Sequence, residues 1–256
     1  MSLDNYIHQI KSKININPTI GLVLGSGLGD FVDSIQNKEV IFYNEIKGYP
    51  LSTVKGHNGM FVLGTVKNKN IICAQGRFHL YEGYDRNTTE LPIDIFKKLG
   101  CNTSIITNAA GCMNEKWELG KFMFINKCID FTFLEKKCLS INDDLINAKV
   151  KNIYNDLKNR YSIYKGTYSW VTGPTYETPS EIEIIKKMGG DVIGMSTLPE
   201  LVKAYDYGMN VIGISCLSNY ASGISNEKLT HNDVLNVVSK SNKNFSNLLY
   251  DIIKLI

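Results

Sequence analysis

"TIGLVLGSGLGD", residues 19–30, is the stretch from which the fold can be read. A short β-branched and apolar run stops abruptly at Gly25-Ser26-Gly27-Leu28-Gly29, as a buried strand does when it turns toward a helix. The chain holds further runs of this kind: "MFVLGTV" (60–66), "NIICAQG" (70–76), "TSIITNAAG" (103–111), "KFMFIN" (121–126), "GTYSWVTG" (166–173) and "NVIGISCLSN" (210–219). Helical segments are expected near 3–13, 87–99, 144–159, 178–189, 197–208 and 230–255. Asn87 with Glu90, Thr178 with Glu181, Thr197 with Glu200 and Thr230 with Asp233 each fit a capping residue followed three later by an acid. Pro179 falls at a first helical position, where its missing N–H costs nothing. Strands alternating with helices predict an α/β fold: one domain over 1–256, with a mixed, largely buried central sheet flanked by helices. Two stretches lack pattern and read as irregular, 128–144 and 220–230.

The 256 residues carry 28 Lys+Arg against 25 Asp+Glu, a net charge of +3. The lysines are dispersed, with no basic block of the kind that grips nucleic acid, so an anionic small molecule is the better-matched partner. Six cysteines without C-x-x-C spacing read as reduced, mostly buried thiols, which suits a cytoplasmic protein. The N-terminal residues have no secretory pattern, and no apolar run approaches the roughly 20 residues that span a bilayer. No His/Cys cluster has metal-ligand spacing.

Arginine is rare, occurring only at 77, 86 and 160, and the first of these lies within "GRFHLYEGY", 76–84. In an extended segment Arg77 and His79 share a face while Phe78 points into packing. A guanidinium fork suits oxyanion geometry, and a neighbouring His adds a second donor; the competing reading of Arg77 is a structural ion pair. The glycine turn brings backbone N–H groups and the Ser26 hydroxyl toward an anion, although its G-x-G-x-G spacing is not the dinucleotide fingerprint G-x-G-x-x-G. In "SWVTGPTYETPSE", Glu177 sits at a loop-to-helix junction, serving either the helix dipole or a ligand. In "GMSTLPE", Thr197 is the expected cap and Ser196 is free to reach a ligand. Ser218 and Asn219 end a strand, a place for ligand recognition and equally for a turn. His231 opens the last helix.

Taken in order, "LGSGLG", "VKGHNG", "GRFHLYEGY", "TNAAG", "TGPTYETPSE", "GMSTLPE" and "SNYASG" resemble the trimeric purine nucleoside phosphorylases, a family that includes the methylthioadenosine phosphorylases. The resemblance spans roughly residues 20–235 with a gap in the middle. It implies that Ser26, Arg77, His79, the backbone N–H of Ala109 and Ser196 hold inorganic phosphate, with His57 beside them and Glu82 in support through water or His79. It implies Tyr81 and Met195 against the ribose, His231 on its 5′-hydroxyl, and a purine read by Glu177 and Asn219 beneath Tyr176. The implied reaction is reversible phosphorolysis of 6-oxopurine nucleosides such as inosine and guanosine, with catalysis by Asn219, His79, Glu82 and Glu177. Phosphate is then the co-substrate, and neither cofactor nor metal is required. A homotrimer is implied; nucleic acid and membrane are not. Ser218 and Tyr176 stand where Thr and Phe are frequent. The segment 128–144 departs from the family and looks shortened, so the neighbouring-subunit residue that covers the ribose is unassigned. Competing readings are a methylthioadenosine phosphorylase, a nucleoside-binding protein without catalysis, and a nucleotide-binding oxidoreductase using Glu45 as a ribose-binding acid.

Overall fold

The computed structural model describes residues 2–54, 58–134, 147–225 and 231–256, with residues 231–235 described through their backbone alone. Among the described residues, nine strands form one mixed sheet: β1 (Ile20–Leu24), β2 (Gln36–Phe42), β3 (Met60–Val66), β4 (Lys69–Gln75), β5 (Thr103–Cys112), β6 (Phe122–Asp130), β7 (Tyr164–Trp170), β8 (Val192–Gly194) and β9 (Asn210–Tyr220). Their order is β2-β3-β4-β1-β5-β8-β7-β6-β9, and β9 also pairs with β5. Five strands therefore close into a ring, from which β1, β4, β3 and β2 extend as an open wing.

The helices are α1 (Leu3–Lys11), α2 (Arg86–Leu99), α3 (Ala148–Tyr161), α4 (Pro179–Lys187), α5 (Leu198–Asp206) and α6 (His231–Leu255). Strand alternation divides the core in two. Val23 of β1 joins Ile10, Ile93, Phe96 and Leu201 on the side of α1, α2 and α5. Its neighbours Leu22 and Leu24 join Val150, Ile153, Phe245 and Leu249 on the side of α3 and α6. A smaller cluster, Met113, Ile182, Ile185 and Ile193, seats α4. Burying both faces of the sheet explains why its central strands read as unbroken apolar runs.

Each of the seven strand runs marked in the sequence is a strand, and the α/β class with a mixed central sheet is the observed one. Several details differ. β2 escaped detection because it is an edge strand with mostly exposed residues and no apolar alternation. β6 continues through Asp130, so 128–130 are not irregular; residues 135–144 of that stretch, and 226–230 of the second, lie outside the described residues. The cap of α2 is Asp85, whose carboxylate accepts the Thr88 N–H at 2.8 Å. Asn87 lies inside the helix, and Glu90 is buried against Arg86 at 2.6 Å and Lys203 at 3.3 Å. α3 starts later than expected, behind the Asn147 cap. Thr178 and Glu181 do form a capping box, with Pro179 following. Thr230 lies outside the described residues.

Candidate active site

β1, β4, β5 and β9 run parallel through the pairs β1–β4, β1–β5 and β5–β9, so their carboxyl ends open on one side of the sheet. Ligands bind outside the carboxyl ends of such strands. The chain leaves β1 at Gly25 and β4 at Gly76, which delivers Ser26 and Arg77 to this side. β8 runs antiparallel to β5, with Ile193 opposite Gly111. The residues after it, Met195 and Ser196, are thereby carried back along Ala109 and Asn108.

The cleft formed there is lined by Ser26, Arg77, His79, Tyr81, Ala109, Tyr176, Glu177, Met195, Ser196 and Asn219, ten of the thirteen residues singled out from sequence. Glu82 lies directly behind His79. His57 and the His231 side chain lie outside the described residues; the His231 backbone begins α6. Glu45 is elsewhere, in a 3₁₀ turn with its carboxylate on the Phe42 N–H and Lys13, so it is not the ribose acid of a dinucleotide site.

The glycine turn is held close to the sheet. Leu28 N–H returns to the Gly25 carbonyl at 3.0 Å, and Gly27 takes φ +74°, the third-position geometry that favours glycine. A Cβ on Gly25 would stand 2.7 Å from Asn108 Cα, so the close approach to β5 needs a residue without a side chain. Thr107 fastens the turn, accepting the Gly25 N–H at 3.2 Å and donating to the Val23 carbonyl at 2.9 Å. The helical stretch that follows, Gly29–Ser34, is 3₁₀ rather than α.

Arg77 is 2% exposed. It is the structural ion pair of one reading, and it also lines the cleft. Its Nε and Nη2 meet the buried Glu200 carboxylate at 3.3 and 3.0 Å. Its Nη1 donates to the Thr107 carbonyl (2.8 Å), Ser196 Oγ (3.1 Å) and Thr197 Oγ1 (3.3 Å) beside the cleft. Thr197 precedes α5 but makes no side-chain cap. Its hydroxyl instead accepts from Asn108 Nδ2 at 3.0 Å. The expected cap thus belongs to the site, drawn there by polar neighbours from β5 and Arg77.

His79 and Glu82 form a second buried unit. Glu82 Oε1 accepts from the His79 N–H (2.9 Å) and ring Nδ1 (3.0 Å), while Oε2 accepts the Thr53 N–H (2.8 Å) and hydroxyl (2.9 Å). Burial pushes the Glu82 carboxyl up, but these four donors outweigh it and hold it down at about 2. Burial lowers the His79 pKa, against the pull of Glu82 and with some help from Arg77, so the ring is neutral near pH 7. With Nδ1–H committed to an ionised carboxylate, Nε2 is an acceptor. The expected second donor is therefore absent in this protonation state. The ring stacks on Tyr81 at 4.7 Å.

At the opposite end, Asn219 owes its aim to an irregularity. Ala110 pairs with Leu217 but Gly111 with Asn219, so Ser218 is the extra residue of a bulge in β9. Ser218 and Asn219, adjacent in sequence, both line the cleft. The Ser218 hydroxyl reaches Asn219 Oδ1 at 2.7 Å, and Nδ2 donates to the Tyr220 carbonyl at 3.0 Å. Each amide atom keeps a further lone pair or proton. Glu177, largely buried just before the Thr178 cap, has its carboxyl pKa raised by burial and by Glu181, against its own backbone N–H.

Sequence reasoning missed Asn108, Thr107 and Glu200, whose roles come from contacts across 89, 30 and 123 positions. Only the apolar context of "TSIITNAAG" hints that Thr107 and Asn108 are buried polar residues needing partners. Among the described residues no group of three or more His, Cys, Asp or Glu side chains could hold a metal ion.

Residues 19–254 match the model of the phosphorylase superfamily. Purine nucleoside phosphorylase 1 of Bacillus subtilis is 40% identical over 258 residues, covering 95% of this chain and 94% of that protein. The Rattus norvegicus purine nucleoside phosphorylase is 32% identical, covering 88% and 85%. Among solved structures, the Schistosoma mansoni purine nucleoside phosphorylase in complex with inosine superposes with a TM-score of 0.89 at 29% identity, covering 98% of this chain and 95% of that one.

Proposed function

The chain belongs to the purine nucleoside phosphorylases of the phosphorylase superfamily, and from that premise we propose that it cleaves 6-oxopurine nucleosides such as inosine and guanosine with inorganic phosphate as co-substrate. The products are free base and ribose 1-phosphate, and the reaction is reversible. The observation that carries this reading is one continuous cleft with Ser26, Arg77, His79 and Ser196 at one end and Glu177 and Asn219 at the other.

Breaking the bond between base and sugar builds positive charge on the ribose and negative charge on the departing purine. The enzyme gains most by holding phosphate beneath the sugar carbon and by stabilising the leaving base. In this reading Arg77 Nη1, the Ser26 and Ser196 hydroxyls and the Ala109 N–H donate to phosphate oxygens. His79, through its acceptor Nε2, accepts a hydrogen bond from the hydroxyl of hydrogen phosphate, while Glu82 fixes its tautomer. His57 lies beside the phosphate, Tyr81 and Met195 line the ribose, and His231 bonds its 5′-hydroxyl. Asn219 accepts from a protonated purine N7 and donates to O6, using the capacity that Ser218 and Tyr220 leave. Glu177 accepts N1–H under the Tyr176 ring. A 6-aminopurine presents a lone pair at N1, a mismatch at a buried carboxylate that discriminates by about four orders of magnitude. The chemistry calls for no resident cofactor or metal. The enzyme is read as a cytoplasmic homotrimer acting in purine salvage through one domain; among the described residues no helix is long and apolar enough to cross a membrane.

The test is a spectrophotometric assay with inosine, guanosine, adenosine and methylthioadenosine, with and without phosphate. Turnover of the 6-oxopurines is expected only with phosphate, and Arg77→Ala is expected to lower kcat/KM by about a hundredfold or more. Adenosine or methylthioadenosine matching inosine in kcat/KM would sink the Glu177–Asn219 assignment, and turnover without phosphate would sink the reaction.

A further inference from the structure

Glu200 stands at the third position of α5, 2% exposed, on the far side of Arg77 from the cleft. Its carboxylate takes up the Nε–Nη2 fork, the edge with which an arginine ordinarily chelates an oxyanion. The edge left toward the cleft is Nη1, which also holds Ser196 and Thr197. Thr197 takes φ +79°, a conformation that a β-branched residue adopts only when its surroundings impose it. The acid thus fastens the guanidinium, and the guanidinium in turn holds the Ser196 and Thr197 hydroxyls of the bent segment. α5 is itself anchored one turn further on, where Lys203 reaches Glu90 at 3.3 Å and Asp94 at 3.4 Å of α2.

We propose that Glu200 is the positioning residue of the phosphate site: it turns Arg77 edge-on, and Arg77 so turned holds the Ser196–Thr197 hydroxyls, so that guanidinium and hydroxyl meet the same oxyanion. This rests on the phosphate-site reading given above. Glu200 acts through Arg77 and does not line the cleft itself. It also supplies the counter-charge without which a buried guanidinium is costly, so phosphate is bound by oriented donors rather than by a bare charge.

The experiment is steady-state kinetics of Glu200→Gln, varying phosphate and inosine separately. The phosphate KM is expected to rise about tenfold or more while the inosine KM stays within about twofold. Both constants rising together, or neither moving, overturns the proposal. A double-mutant cycle in an Arg77→Lys background supplies a second readout. A lysine has no fork to turn, so there the Glu200→Gln effect on phosphate KM is expected to shrink to within about twofold. An equal effect in both backgrounds shows that Glu200 does not act through Arg77. If circular dichroism finds Glu200→Gln unfolded, Glu200→Asp, which keeps the charge but shortens its reach, is measured in the same way with the same split expected. An Arg77→Ala variant with full phosphate-dependent activity sinks the phosphate-site reading itself; an inactive one beside an unchanged Glu200→Gln sinks only the role of Glu200.

Discussion

In the proposed site, Glu177 links pH to substrate choice. It must be ionised to accept a purine N1–H, and burial raises its pKa above the ordinary carboxylate value of 4.5. Protonation as pH falls through that raised value removes the acceptor. The inosine KM is therefore expected to climb on the acid side sooner than an ordinary carboxylate would allow. Glu177→Gln should show a raised inosine KM at neutral pH and no such acid limb; measuring KM for inosine from pH 5 to 8 in both proteins checks this, and an acid limb surviving in the variant assigns it to another group. At this scale the sequence was informative where residue type is rare or context is odd. Arg77 and His79 stood out among the lysines and aromatics. Glu200 did not, because an acid three residues after a threonine reads as a helix cap, and its actual partner is 123 positions away. Thr197 was misjudged for the same reason: local spacing indicates a cap, and a tertiary network claims its hydroxyl.

Elements deliver these residues through small departures from regularity. The turn after β1 fits only because Gly25 presses on β5. Gly25→Ala places a Cβ against Asn108 Cα and the Thr107 carbonyl, both backbone and unable to swing aside. The turn must lift, at a cost of about 1–3 kcal/mol typical of overpacking. Urea denaturation should register that loss, and the phosphate KM should rise with it because Ser26 rides on the turn; unchanged stability and KM would show that the turn is not held as described. The bulge in β9 acts likewise on the base side, since without the extra Ser218 the pleat would put one of two consecutive residues away from the cleft. Buried strands were legible because apolar runs are local, and so was the start of α4, the one expected cap that the structure shows. β2 was not, being an exposed edge, and neither was the bulge, which exists only as a pairing offset between two strands far apart in sequence.

At the scale of the molecule, the proposed trimer has a surface to account for. Phe133 (77% exposed), Leu134 (62%), Ile184 (57%) and Met188 (58%) stand exposed, and a hollow lined by Phe133, Ile184 and Met188 shares Tyr176 and Glu177 with the cleft. Exposed apolar side chains grouped beside a site suit a protein–protein contact. Sedimentation velocity at micromolar concentration should give three times the 28.8 kDa of one chain; a single-chain mass would remove the trimer. Fold class could be read from the alternation of strands and helices, whereas closure of β5, β8, β7, β6 and β9 into a ring could not, because no local pattern records which strands pair. That ring bears on biosynthesis. β9, the last strand, pairs with β5 more than a hundred positions earlier and with β6, and it brings Asn219 and the bulge with it. Contacts of such long sequence separation form late and slowly. A nascent chain released between residues 197 and 209 would hold Ser26, Arg77 and Ser196 but lack both the strand that shuts the ring and the amide proposed to meet the base, so such truncated products are expected to be catalytically silent.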